Sequence, residues 1–128
     1  MRALLDSHAL LWLFSEDPAL SKTAFEAIAH PQNEILVSAA SAWEIALKVQ
    51  SGKLPSGVDL VQDFAQFLRR AGFYEMSISI DHGIRAGLLP THHKDPFDRV
   101  LAAQCQAESI PIISNDRVFE LYGVNRIW

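Results

Sequence analysis

Four acids, Asp6, Glu44, Asp98 and Asp116, stand where the sequence could hold a carboxylate rigidly and turn it toward a shared cleft. Asp6 follows Ala3-Leu4-Leu5 at the end of an expected strand, and ligands of open parallel α/β sheets bind beyond the carboxyl ends of the strands. Asp116 repeats the arrangement with Asn115, just past Pro111-Ile112-Ile113-Ser114. Each also qualifies as a helix cap, Asp6 or Ser7 for the segment that follows and Asp116 for residues 117–122. Glu44 lies in SAASAWEIALKVQSGK. There Ser41, Glu44, Lys48 and Ser51 form the single polar stripe of an otherwise apolar helix, with Trp43, Ala46 and Leu47 on one side and Ala42, Ile45 and Val49 on the other expected to pack inward. So narrow a stripe suits a helix that faces a cleft, although a solvent-facing Glu44–Lys48 pair has the same spacing. In THHKDPFDRVLAAQCQAE, Asp95 is a good N-cap and Pro96 fits the first helical position. Asp98, at the third position, is either an acid that favours the helix dipole or a site carboxylate.

Carboxylates gathered in one pocket repel, by about 4 kcal/mol for a pair at 4 Å and an effective dielectric near 20. A cation must offset this: Lys48, Arg99, Arg117 or a divalent metal. Ligands that are all carboxylates, without Cys or a paired His, suit a hard ion such as Mg²⁺ or Mn²⁺. His92 and His93, followed by Lys94, could be metal ligands, but adjacent side chains diverge on an extended segment and no other Cys or His stands at zinc-site spacing. They read as a polar loop or as contacts to substrate phosphates.

The elements that must position these groups follow from the hydrophobic pattern. Short apolar runs at 2–5, 34–38, 73–78, 111–114 and 124–128 alternate with segments of helical period at 8–15, 21–30, 39–51, 58–71, 81–88, 96–108 and 117–122. This succession predicts βαβ units and a parallel sheet covered on both faces. Ser51-Gly52 ends one helix, and Gly72 and Gly123 sit where C-terminal caps belong. The 8–15 segment is apolar nearly all round, which suits burial or one side given to a homodimer interface.

With 128 residues, 49% of them hydrophobic and 20% charged, the chain has globular composition, and one domain over residues 1–128 is expected. The formal net charge of −4 carries no global signature of a nucleic-acid binder. A dense carboxylate site makes a protein acidic overall, however, and bound metal reverses the sign locally. The opening MRALLDSHALLWLF is interrupted by Asp6 and His8 and has no cleavage signal, and its longest apolar run, 9–14, is too short to span a bilayer. A soluble cytoplasmic location is the expectation. The single Cys105, among Ala102, Ala103 and Ala107, reads as a buried, inert thiol, and Trp12, Trp43 and Trp128 read as core.

Together LLDSHALLWLF, SAASAWEIALK, HKDPFDRVLAAQ and ISNDRVF resemble the PIN-domain family, in particular the VapC-type toxins of bacterial toxin–antitoxin pairs. The similarity covers nearly the whole chain, in the family's order and spacing. It implies a three-layer α/β/α sandwich with a central, mostly parallel sheet of about five strands. It further implies a Mg²⁺- or Mn²⁺-dependent endoribonuclease of the cytoplasm, a homodimer acting on RNA and neutralised by an antitoxin protein. On this resemblance Asp6 matches the first-strand acid, Glu44 the helix glutamate, Asp98 the third acid and Asp116 the fourth, more variable one, as catalytic metal ligands. Asp95, Ser7, Ser114 and Asn115 match supporting positions, and Lys48, Arg99 and Arg117 are candidates for phosphate contacts.

Rival readings each lack a residue. A receiver domain needs paired acids after the first strand and a Lys after the fifth, whereas here the sequence runs Asp6-Ser7-His8 and no Lys follows Lys94. A phosphotransferase with Asp6 as nucleophile needs another Asp two residues on, where His8 stands. A PIN fold that only binds RNA or a partner remains the alternative to catalysis.

Overall fold

The computed structural model describes residues 1–128. Five strands, β1 Arg2–Leu5, β2 Glu34–Ser38, β3 Tyr74–Met76, β4 Ile112–Ile113 and β5 Arg126–Ile127, pair in parallel in the order β3-β2-β1-β4-β5. The helices are α1 Ser7–Phe14, α2 Lys22–Ala29, α3 Ala39–Gln50, α4 Val58–Gln62, α5 Phe64–Ala71, α6 Ile80–Leu88, α7 Pro96–Glu108 and α8 Val118–Leu121.

Side-chain alternation along the strands sorts these helices into two layers. On one face Ala3, Leu5, Ile35, Val37 and Ile113 pack with Leu10 of α1, Ala24 and Ile28 of α2, Ile45 of α3, Leu60 of α4 and Leu68 of α5. On the other, Leu4, Leu36, Met76 and Ile112 pack with Leu101, Ala102 and Cys105 of α7 and Phe119 of α8. Each fully buried Leu or Ile stabilises the fold by roughly 1.5–3 kcal/mol through removal from water. The result is the expected three-layer sandwich, with a sheet that is parallel throughout. Cys105 is buried in the second layer, and burial pushes its thiol up to about 12.

The chain runs from β1 outward through β2 to β3, then returns to the other side of β1 for β4 and β5. The reversal opens a crevice at the carboxyl ends of β1 and β4, where such sheets bind ligands. The Leu4–Ile112 and Leu5–Ile113 register brings Asp6 and Ser114 side by side at its floor.

Two expectations need correction. Residues 58–71 form two helices, because Asp63 leaves helical geometry (φ −122°, ψ 29°) to end α4 and begin α5; the break lets Leu60 and Leu68 both reach the first core layer. The α3 helix is rotated relative to its expected packing. Ser41, Glu44 and Ile45 are buried, whereas Trp43 is 59% exposed and Leu47 also faces outward. Trp43 lies edge-to-face on Phe97 at 4.8 Å, so it is no core residue, and Trp12 and Trp128 pair at 5.8 Å in a partly buried position. The α1 helix, expected to be buried or to pair with a second copy, buries Ser7, Ala9 and Leu10 and leaves its last turn partly open. No helix is long and apolar enough to cross a membrane.

Candidate active site

At the floor of the crevice, Asp6 is buried and its backbone N–H bonds the Ile113 carbonyl at 3.1 Å. Although Asp6 occupies the N-cap position of α1, its side chain makes no capping hydrogen bond. The Ser114 hydroxyl instead donates to Asp6 Oδ2 at 2.5 Å and accepts from the Asp116 N–H at 3.0 Å. One serine thus ties the carboxylate of β1 to the turn beyond β4. Asp116 Oδ1 accepts from the Val118 N–H at 2.9 Å, fixing the start of α8.

Glu44 enters from α3 and is 2% exposed. Lys48 Nζ donates to Glu44 Oε2 at 2.7 Å, and the Ser7 hydroxyl donates to Ser41 at 2.9 Å, binding α1 to α3. Asp98 enters from α7. Asp95 caps that helix through Oδ1, accepting from Phe97 N–H at 2.9 Å and Asp98 N–H at 3.2 Å. Asp98 is therefore free of the capping duty, and its Oδ2 meets His93 Nε2 at 2.8 Å. Ligand atoms of His93, Asp98 and Asp116 all lie within 4.8 Å of one another.

The electrostatics match this crowding. Burial, then the charges of Asp6 and Asp95, push Asp98 from an ordinary 3.8 up to about 7, against the hydrogen bond from His93. Burial likewise raises Asp6, against its bond from Ser114 and the charge of His8. Asp6, His8, Trp12, Asp98, Asn115, Asp116 and Arg117 line a cleft of about 400 Å³. The lining joins three carboxyl groups to an imidazole, an indole and a guanidinium.

The PIN-domain family model matches residues 3–125 of the sequence. The chain belongs to the PIN-domain family. No curated protein matches it, but solved structures do. Over the whole of both chains it is similar to VapBC2 from Rickettsia felis, solved bound to a DNA fragment from their promoter, at 16% identity and a TM-score of 0.71. It is also similar to a toxin–antitoxin complex from Klebsiella pneumoniae, at 25% identity and a TM-score of 0.61, over 90% of this chain and 87% of that one.

Divalent metal suits the donor set of this PIN domain. Asp6 Oδ1 and Glu44 Oε1 are buried without any hydrogen-bond partner, and a buried, unpaired carboxylate oxygen is costly unless a cation or proton meets it. Oxygen-rich sites are those that hard dications occupy. Of the cations expected on phosphate, Arg117 stands in the cleft and Lys48 is half-exposed in its pair with Glu44. Arg99 is committed elsewhere: its guanidinium donates to the carbonyls of Ala86, Gly87, Leu89, Pro90 and His93, which is not the expected phosphate contact. Asn115 lines the cleft, as anticipated for a flanking residue.

His8 escaped the sequence reading, and His93, weighed there with His92, was assigned to a polar loop or to substrate phosphates rather than to the acids. His93 reaches Asp98 because the loop before α7 folds back on Arg99 and on Tyr122, whose hydroxyl donates to the Pro90 carbonyl at 3.2 Å. Nothing in the spacing of two adjacent histidines signals that fold-back. For His8 a signal existed, since it stands two residues past a strand-end acid.

Proposed function

We propose that this PIN domain is a Mg²⁺- or Mn²⁺-dependent endoribonuclease and the toxin of a VapC-type toxin–antitoxin pair. The observation that supports the reading is that Asp6 Oδ1 and Glu44 Oε1 are buried without partners, close enough for both charges to act on Asp98, whose ligand oxygen lies within 4.8 Å of those of His93 and Asp116. These four acids would hold the metal. When bound, a dication lowers the pKa of its water and stabilises charge developing on a phosphodiester. Ser114 fixes the orientation of Asp6, and Asp95 holds Asp98 by starting its helix. Arg117, which lines the cleft, would contact the RNA backbone, and Lys48, paired with Glu44, is the second candidate; such contacts supply most sequence-independent affinity.

The antitoxin reading draws support from the toxin–antitoxin complexes among the structural neighbours. On this chain an apolar groove of about 520 Å³, lined in part by Leu13, Leu20 and Phe25, begins at Trp12, the residue that also lines the cleft. A partner segment in that groove would lie at the mouth of the site. We further propose a cytoplasmic homodimer.

The test is cleavage of a labelled structured RNA by purified protein, with and without Mg²⁺ or Mn²⁺, beside Asp6→Asn and Asp98→Asn. Cleavage that requires metal and is lost by at least a hundredfold in both variants, with unchanged circular dichroism, is the expected result. Full activity in either variant, or in the presence of excess chelator, sinks the reading.

A further inference from the structure

The loop before α7 sets a nitrogen donor among the carboxylates. His93 Nε2 stands 2.8 Å from Asp98 Oδ2, and both lie within 4.8 Å of a carboxylate oxygen of Asp116. Adjacent ligands of an octahedral ion, each about 2.1 Å from it, are about 3 Å apart. The His93–Asp98 spacing is therefore that of two neighbouring ligands as well as that of a hydrogen bond. The position is enforced from behind: the His93 carbonyl accepts from Arg99 at 3.3 Å, and the same guanidinium holds the carbonyls of Leu89 and Pro90. Independently of this trio, Asp6 Oδ1 and Glu44 Oε1 are buried and unpartnered, and Asp6 lines the same cleft as Asp98 and Asp116.

We propose that His93 is a nitrogen ligand of the metal centre, alongside Asp98 and Asp116, and that it shifts the preference of the centre from Mg²⁺ toward Mn²⁺. The inference rests on the metal-dependent reading above and adds to it a ligand outside the four acids. An imidazole gains little from Mg²⁺, which demands hard oxygen donors and keeps its waters. A first-row transition dication accepts nitrogen and oxygen together. The His93 ring is also only partly buried, so it can turn from the Asp98 hydrogen bond to a shared ion without unpacking a core.

Calorimetric titration with Mg²⁺ and with Mn²⁺, and pulsed electron paramagnetic resonance of bound Mn²⁺, decide the matter on wild type, His93→Gln, His8→Gln and Asp98→Asn. Glutamine keeps an amide able to donate to Asp98 but is a poor substitute for imidazole. Wild type is expected to show ¹⁴N modulation from a directly bound imidazole. His8→Gln keeps that signal. His93→Gln loses it, and its Mn²⁺ affinity falls about tenfold to a hundredfold while Mg²⁺ binding changes far less. Absence of ¹⁴N modulation in wild type overturns the proposal even if the glutamine variant misfolds. So does equal weakening of both ions in His93→Gln, which would mean that His93 only positions Asp98. Failure of wild type to bind either ion is a different outcome, and it would take down the metal-dependent reading itself.

Discussion

A carboxyl group buried beside other carboxyls holds its proton to higher pH, and in Asp98 this gives a folded-state value of about 7 against an ordinary 3.8. Between those values the folded protein binds more protons at this group than the unfolded chain does. The contribution of Asp98 to stability is thus fully present at low pH and is lost as pH rises toward 7. Metal-free protein should gain thermal stability from this group on acidification from pH 8 to pH 5.5, while the stabilisation gained from added Mn²⁺ shrinks over the same interval as protons compete for the ligand. A melting series with and without chelator reads both slopes; a metal effect that grows on acidification would contradict the assignment. Ser114→Ala removes the hydroxyl that donates to Asp6 and leaves another buried oxygen unpartnered. It should cost about 1–3 kcal/mol in urea denaturation. At this scale the acids were legible because strand ends and first helical turns are few, and Asp6, Asp98 and Asp116 all open on one cleft. The Asp95 cap was legible too, since its geometry is local. His93 was not, because its contact depends on how a loop folds back.

Among the elements, the segment from α6 to α7 matters most to the site, and one side chain holds it. Arg99 collects carbonyls from Ala86 to His93 that would otherwise end a helix and a turn unbonded. Hydrogen bonds to a charged donor contribute about 1.5–3 kcal/mol each at best and are not additive. Arg99→Ala is accordingly expected to lower stability by about 2–3 kcal/mol and to speed amide exchange in residues 86–93. Arg99→Lys should recover little, because an ammonium lacks the planar fork. Unchanged exchange in that segment would show that the loop is held by Tyr122 and its own turns. The sequence pattern located every helix here, but it missed the break at Asp63, where two core positions, Leu60 and Leu68, must both face the sheet. It also misjudged α3. On an apolar helix with one polar stripe, periodicity alone does not say whether the stripe faces water or a cleft, and the outward turn of Trp43 follows from that ambiguity.

For the whole molecule, the two most exposed large apolar side chains lie on α6, where Ile80, Ile84 and Leu88 recur at every fourth position and Ile80 and Leu88 are 83% and 80% exposed. Stripes of this kind mark association surfaces, and the proposed homodimer gives it an occupant. Ile84→Glu together with Leu88→Glu should shift the protein to monomer in sedimentation experiments without lowering its melting temperature; an unchanged sedimentation coefficient would place the dimer contact elsewhere. The parallel sheet and its two covered faces could be read from the alternation of apolar runs and helical segments. The strand order could not, since pairing is set by contacts that no local pattern records.

That strand order has a consequence during synthesis. The hydroxyl that orients Asp6 arrives 108 residues after it, and Asp116 later still, just beyond a strand whose Ile112 and Ile113 pair with Leu4 and Leu5 only after nearly all of the chain exists. A nascent or prematurely ended polypeptide that stops before β4 carries Asp6, Glu44 and Asp98 but has no floor to the crevice. On the proposed function such fragments are expected to lack nuclease activity, which would then first appear in finished molecules.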